Sequence, residues 1–327
     1  MKTNTCKVSV LCMAYNHEAY LKDALEGFVG QKTNFTFEVL VNDDCSTDGT
    51  AEILEEYAER YPEIIRPFYQ KENLYQKHIS IYDAVFYPNV RGEYVALCEG
   101  DDYWTDPEKL QRQVDFLDTH PEYSGCAHNS IGHYIKEERP DEMLFPESGD
   151  RDIPFAELIR GMSHAFHTSS IVARREIAER PPDFRNVALQ YGFTDYPFAI
   201  WLSMNGKIRF LDRPMSVYRI ASNPASWSSN LARHYDRLKE FVSGEIAMFE
   251  VLLPHLSGEE KELAEKELLA RRFELLYITG EVKTMMTSPY EDLFRQQTAK
   301  FRLVTALKRA FPHLHRIYRK KKGYKDY

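Results

Sequence analysis

The sequence predicts an α/β domain built on a mostly parallel sheet flanked by helices, followed by a C-terminal helical appendage. Three observations carry this prediction. Short apolar runs alternate with segments whose apolar residues recur at helical spacing, the pattern of strands covered by helices on both faces. The early strands end in polar clusters, at the carboxyl edge where open α/β sheets bind ligands. From about residue 230 the helical spacing becomes continuous.

Val8, Val10 and Leu11 form the first strand, which Ala14-Tyr15-Asn16 breaks. Asn16 reads as the N-cap of a helix starting close to residue 17, with Leu21, Ala24, Leu25 and Phe28 on its apolar face. Residues 37–41 give the next strand, which ends in the turn and cap formers of residues 42–50. Ile53, Leu54, Tyr57, Ala58 and Tyr61 mark a helix behind them. Residues 94–97 are a further strand, running out into Glu99-Gly100-Asp101-Asp102. Three acids on one turn suit a hard divalent ion such as Mg²⁺ or Mn²⁺, completed by substrate phosphates; the plainer reading is a solvated loop. Neither strand-to-helix turn carries a Gly-x-Gly-x-x-Gly or Walker loop, which argues against dinucleotide cofactors and P-loop hydrolysis.

In the second half, residues 164–172 read as a strand with a polar entry. His164 and His167 within it lack a nearby third ligand for zinc, so hydrogen bonding is their expected role. Asp195 stands at the opening of a helix through Ala199, Ile200, Trp201 and Leu202, where it is placed to cap; Trp201 reads as core. Ser257-Gly258-Glu259-Glu260 is a capping box. Ser288-Pro289-Tyr290-Glu291 combines an N-cap, a proline at the first helical position and a reciprocal glutamate. At least three helices are therefore expected after the α/β domain.

The last helix runs into a basic stretch. Residues 308–325 hold eight Lys or Arg and no acid, leaving 34 cations against 50 acids in the rest of the 327-residue chain, whose overall net charge is −8. Phe311, Leu314, Ile317 and Tyr318 can share one helical face there, with Pro312 starting a new helix. Such a tail suits an anionic membrane surface, a solvated helix end or an acidic partner subunit. The acidic body argues against nucleic acid. All five cysteines lie within the first 126 residues with no Cys-x-x-Cys pairing, which fits buried reduced thiols in a cytoplasmic protein. No signal peptide stands at residues 1–5, and no apolar run approaches the ~18 residues of a spanning helix, so a soluble or peripheral chain is expected.

Val8-Ser9-Val10, Ala14-Tyr15-Asn16, the run Val41 to Thr50, Gly92-Glu93-Tyr94 and Glu99-Gly100-Asp101-Asp102, taken in order, resemble the motifs of glycosyltransferase family 2 over roughly residues 6–220. The resemblance implies the GT-A nucleotide-diphospho-sugar-binding fold, with a catalytic domain over residues 1–228 and a helical region with a basic tail over 229–327. It implies inverting, metal-dependent transfer from a nucleotide-diphospho-sugar, expected to be a UDP-sugar, to a glycan or lipid-linked acceptor in surface polysaccharide synthesis. Tyr15, between Ala14 and Asn16, matches the position that lies against the nucleotide base, and Asp43 or Asp44 the acid that binds base or ribose. Glu99-Gly100-Asp101 stands where the family has Asp-x-Asp. The metal therefore falls on Asp101, with Asp102 as the next candidate and Glu99 nearer the ribose. Lys77 or His78 lies near the position that sends a cation to the diphosphate.

On the acceptor side, His167 belongs to the segment that precedes the acceptor pocket. Asp195 matches the late aspartate that acts as base, with Thr194 in place of the first acid of that pair. Arg209–Asp212 and Ser216–Ile220 resemble the last strand and its Tyr-Arg ending. Many relatives then place a histidine where this chain has Ala221-Ser222-Asn223-Pro224. Either the metal makes do with Asp101, phosphates and water, or a loop with Ser226 and Trp227 closes over the donor; Trp227 equally suits docking of the following helices. Two other classes stay open. A nucleotidyltransferase or sugar-nucleotide hydrolase would share the sheet, although Met13 to Tyr20 lack the glycine-rich basic loop of the former. A non-catalytic donor-binding or scaffold subunit is compatible with Thr194 and the absent late histidine.

Overall fold

The computed structural model describes residues 6–135, 139–146, 149–180, 183–220 and 235–310. By contacts the chain divides into two compact units, Met1–Ser222 and Asn223–Tyr327.

The first unit is organised by one sheet. Its strands are β1 (Val8–Ala14), β2 (Phe37–Asp43), β3 (Ile65–Tyr69), β4 (Tyr94–Leu97), β5 (Tyr103–Trp104), β6 (Tyr123–Tyr134), β7 (Glu142–Met143), β8 (Arg151–Asp152), β9 (Val172–Arg174) and β10 (Lys207–Ile220). The main path runs β3-β2-β1-β4-β9-β6-β10-β5, with β7 beside β6 and β8 beside β10. The four long ladders, β1–β2, β2–β3, β1–β4 and β6–β10, are all parallel. Each antiparallel ladder is two or three residue pairs long, so the sheet is mostly parallel by extent. Strand β9 is the point of reversal, antiparallel to both β4 and β6. Strands buried on both faces read as continuous apolar runs, and β1 and β4 are such strands.

Helices α1 (Leu21–Val29), α2 (Thr50–Arg60), α3 (Lys109–Thr119), α4 (Phe155–Leu158), α5 (Arg175–Ala178), α6 (Asp183–Gln190) and α7 (Asp195–Met204) complete the unit. Helix α1 buries Leu21, Ala24, Leu25 and Phe28, the face read from spacing. Its start differs: it begins at Leu21 after Tyr20, and Asn16 is not its cap. Asn16 instead takes a left-handed backbone (φ 54°), which asparagine tolerates better than most residues. The expected strand over 164–172 is also shorter. Residues 162–164 and 168–170 form single helical turns, and extended pairing starts only at Val172. Polar residues at His167, Thr168, Ser169 and Ser170 satisfy one another and the local backbone there, competing with a ladder.

Behind the acidic turn, Lys109 is fully buried. It donates to Gln113 Oε1 (2.8 Å) and lies 4.0 Å from the Trp104 ring centroid, and burial pulls its ionisation down to about 7. The five cysteines are free thiols, with Cys12, Cys98 and Cys126 buried.

The second unit contains α8 (Tyr235–Leu252), α9 (Gly258–Thr279), α10 (Val282–Met285), α11 (Glu291–Gln296) and α12 (Ala299–Ala310). Ser257 is the N-cap of α9, as its capping box suggests, but its side chain makes no capping hydrogen bond. Helix α11 begins at Glu291 after Tyr290, two residues later than a Ser288 cap implies. Phe273, Met285 and Phe294 form a small core with Leu276, Tyr277, Tyr290, Leu293 and Phe301 packed on it.

Gly92 shows how tightly β4 enters the sheet. Its N–H donates to Ser9 Oγ (2.9 Å), and Ser9 in turn donates to the buried Glu38 carboxylate (2.6 Å). A Cβ at Gly92 would stand 2.4 Å from Ser9 N and 2.7 Å from Val8 C and Tyr94 O, all backbone atoms of central strands. Those atoms cannot retreat singly. Gly92→Ala is therefore expected to cost at least the ~1–3 kcal/mol typical of an overpacked core. Chemical denaturation checks this, and an unchanged midpoint would contradict the packing described.

Candidate active site

Backbone bonds sew the polar strand ends together. Asp44 N–H donates to Ala14 O (2.9 Å), Gly100 N–H to Met13 O (2.8 Å), and Gln70 N–H to Asp43 O (2.9 Å). Residues 14–16, 43–44 and 99–102 are thereby held at the carboxyl edge of β1, β2 and β4. The loop after β1 is zipped to the loop after β2. Asn16 N–H donates to Ser46 Oγ (2.9 Å), Thr47 N–H to Asn16 Oδ1 (2.8 Å), His17 N–H to Thr50 Oγ1 (2.8 Å) and Glu18 N–H to Asp48 Oδ2 (3.1 Å). These bonds explain the run of turn formers between Asn42 and Thr50: they serve a neighbouring strand as well as their own turn.

The two adjacent acids after β2 separate in role. Asp44 accepts Leu74 N–H at Oδ1 (2.8 Å) and Tyr75 N–H at Oδ2 (3.0 Å), so both oxygens fix the 74–75 turn. Asp43 accepts Ser46 N–H at Oδ1 (3.2 Å), and burial raises its ionisation. Asp43 is thus the better placed of the two to receive a ligand donor at its second oxygen. Tyr15 is half-buried at the end of β1. Lys77 sits on an exposed turn, ion-paired with Glu72, and the neighbouring His78 adopts a left-handed backbone.

The acidic turn is anchored from β10. Arg219 N–H donates to Asp102 Oδ1 (2.9 Å) and its Nη1 to Asp101 O (3.0 Å). The same guanidinium pairs with Asp23 on α1 and covers the Tyr103 ring at 4.4 Å from its centroid. Asp102 is only 2% exposed, and its other oxygen lies 3.6 Å from His167 Nδ1. His167 stacks on Tyr218 (centroids 4.0 Å apart), and its Nδ1 accepts Ser169 N–H (3.3 Å), which places the ring proton of neutral His167 on Nε2. Burial pulls His167 down to about 4. His17 Nε2 is 3.9 Å from Asp101 Oδ2, and its buried Nδ1 has no hydrogen-bond partner among the described residues. A Cβ at Gly100 would meet that Nδ1 at 2.9 Å, so the glycine inside the acidic turn makes room for the His17 ring.

Glu99 is pushed up to about 8, chiefly by burial and then by Asp101 and Asp195. Asp102 is raised well above the carboxylate range by burial, Asp101 and Glu99. An all-oxygen cluster whose members suppress one another's ionisation fits a hard cation, which would relieve the repulsion. Among the described residues no three His, Cys, Asp or Glu side chains form a ready-made cage, so such an ion would draw further ligands from phosphate and water.

Asp195 is the first residue of α7, with Thr194 at the N-cap position. Its Oδ1 accepts Tyr196 N–H (2.9 Å), and burial raises its ionisation. It lines the same small cavity as Leu97 at the end of β4, the strand that leads into the acidic turn. Trp201 donates to Ile177 O (2.9 Å) and is half-buried, outside the buried core that its neighbours form.

The structure therefore brings Asp43, Glu99, Gly100, Asp101, Asp102, His167 and Asp195 into one neighbourhood with the Ala14–Asn16 loop. Lys77 is engaged elsewhere. Trp227 and residues 311–327 of the basic tail lie outside the described residues, as does the 228/229 boundary. The sequence reading assigned no role to His17, Arg219 or Tyr82. His17 directly follows the Tyr15-Asn16 motif, and Arg219 stands in the Tyr-Arg ending already noted, so both signals were present.

Arg219→Met keeps the aliphatic stem but removes the grip on Asp101 O and Asp23. Leaving these partners without their cation is expected to cost about 2–3 kcal/mol, read as a lower denaturation midpoint. A variant as stable as the parent would show that the acidic turn holds without it.

Comparison with known proteins agrees with this architecture. Residues 9–180, more than half of the chain, match the family described as Glycosyl transferase family 2. The chain is 37% identical over 212 residues to the uncharacterized protein Rv1520 of Mycobacterium tuberculosis, covering 65% of this chain and 58% of that protein. It therefore spans less than two thirds of that relative. It is 28% identical over 226 residues to the uncharacterized glycosyltransferase alr2836 of Nostoc sp., covering 68% of each. Among solved structures, Staphylococcus aureus TarS 1–349 in complex with UDP-GlcNAc superposes with a TM-score of 0.59 at 19% identity, over 93% of this chain and 87% of that one. The mannosyltransferase PcManGT of Pyrobaculum calidifontis, in complex with GDP-Man and Mn²⁺, gives 0.52 at 17% identity over 95% and 89%. At these identities the structural likeness establishes the GT-A fold, while the sequence match goes further: this protein belongs to glycosyltransferase family 2.

Proposed function

We propose that the protein is an inverting glycosyltransferase that moves a sugar from a nucleotide-diphospho-sugar, a UDP-sugar, to a glycan or lipid-linked acceptor in surface polysaccharide synthesis. The observation that carries the reading is that Asp195, buried at the start of α7, lines one cavity with Leu97, the residue of β4 that leads into the acidic turn. Relatives support the substrate class. TarS is named a poly(ribitol-phosphate) β-N-acetylglucosaminyltransferase and has been crystallised with UDP and UDP-GlcNAc. A Bacillus subtilis relative, 34% identical over 110 residues, is named for teichuronic acid biosynthesis.

In this reading Asp195 accepts the proton of an acceptor hydroxyl as that oxygen forms its bond to the anomeric carbon. The bond to the diphosphate oxygen breaks on the opposite face, and the nucleoside diphosphate leaves with the electron pair. A divalent cation held at Asp101, completed by phosphate and water, would supply positive charge for the leaving diphosphate. Tyr15 offers an aromatic face to the base, and Asp43 accepts from imide or ribose donors. Glu99, largely protonated near neutrality, can donate to a ribose or sugar oxygen. His167 presents its Nε2–H to the acceptor side.

No helix among the described residues is long and apolar enough to cross a membrane. The eight cations of residues 308–325 support a peripheral contact with an anionic membrane, each adding ~1 kcal/mol near such a surface.

Two variants separate donor binding from chemistry. Asp101→Ala is expected to abolish the extra thermal stabilisation that Mn²⁺ gives in the presence of UDP. Asp195→Asn should retain that stabilisation while transfer falls by roughly 10²–10⁴-fold. Because burial raises Asp195, the parental rate should fall with acidification at a pH above the ordinary carboxylate range, as the base takes up a proton. Transfer at the parental rate by Asp195→Asn would refute the assignment of the base.

A further inference from the structure

Beside Asp195 the structure leaves a small, partly open cavity of about 10 Å³. Its walls include Tyr82 and Tyr87 from the helical turn before β4, Leu97 at the end of β4, Arg185 on α6, and Thr194 and Asp195 at the start of α7. A space of this size holds one water and nothing larger, and a buried water requires about two to four polar partners. The walls supply them. Arg185 is 3% exposed, and its Nε has no hydrogen-bond partner among the described residues. The Tyr82 phenol likewise makes no hydrogen bond among the described residues, whereas Tyr57, Tyr94, Tyr123 and Tyr196 each donate to a carboxylate or carbonyl.

Tyr82 is held firmly where it stands. Its ring packs on Phe86 (centroids 5.7 Å apart) and Tyr87 (5.9 Å), and the Arg185–Asp83 ion pair ties its turn to α6. Asp195 and Arg185 face the phenol with opposite charges, while Glu99 and Tyr87 stand alongside. Burial and the neighbouring carboxyl groups keep the Tyr82 hydroxyl protonated, so it acts as a donor. The Asp195 carboxylate receives Tyr196 N–H at Oδ1 and is also favoured by its own backbone N–H.

We propose that this cavity holds one ordered water through which the Tyr82 phenol orients the Asp195 carboxylate, making Tyr82 a positioning residue for the base. The water accepts from Tyr82 O–H and donates to Asp195, with Arg185 Nε–H as its second donor. The inference rests on the reading of Asp195 as the base, and it adds a residue from the first half of the sheet to the acceptor side of the site.

The test follows the Asp195 carboxyl directly, in protein carrying ¹³C-labelled aspartate, with its resonance identified by its loss in Asp195→Asn. Tyr82→Phe keeps the ring and removes the donor, so the Asp195 titration midpoint is expected to rise by about 0.5–1 unit. A midpoint that coincides with the parent's overturns the proposal. So does a high-resolution crystal structure of the parent with no ordered water between Tyr82 and Asp195. Thermal stabilisation by UDP is expected to be the same in parent and Tyr82→Phe. Were the glycosyltransferase reading itself wrong, UDP would stabilise neither protein, whereas the Asp195 midpoint would still shift.

Discussion

Three carboxylates on a four-residue turn repel one another, and the site exists because Arg219 holds them in place. Its backbone N–H fixes Asp102, its guanidinium fixes the Asp101 carbonyl, and its ion pair with Asp23 ties the turn to α1. One residue on the longest strand therefore connects the acidic turn, the first helix and the second half of the sheet. Arg219 binds Asp101 through the main chain, while the Asp101 carboxylate lies 3.9 Å from the His17 ring. The arrangement commits Asp102 to the interior, where one oxygen serves β10 and the other faces His167. Neighbouring residues of the same turn are thus held in different ways, one by its main chain and one by its side chain.

The strand pattern was legible wherever burial on both faces left a continuous apolar run. The 94–97 strand coincides with β4, and the helical face of α1 agrees residue by residue. Boundaries failed where a polar side chain had a distant partner. Asn16 looks like a helix cap from its neighbours alone, but its amide oxygen serves Thr47, 31 residues away. Asp44 looks like a ligand acid, yet both oxygens are taken by a turn 30 residues later. Local sequence shows that such groups need partners and does not show which. The same limit hid His17, whose proximity to Asp101 arises only when β1 and β4 pair.

The departures from the family pattern also make sense as a set. Glu99 replaces the first aspartate of the Asp-x-Asp motif, and Thr194 replaces the first acid of the late pair. Glu99 is already raised by burial, by Asp101 and by Asp195. A second acid at position 194, on the wall of the same small cavity as Asp195, would add another negative charge to this crowded edge. Like charges in a water-poor site drive one another to protonate, and a protonated Asp195 is useless as a base. A threonine at 194 lines the cavity without adding that charge. In the proposed reading the two departures suit a division of labour in which Asp195 serves as the base and Glu99, pushed up to about 8, serves beside it as a hydrogen-bond donor.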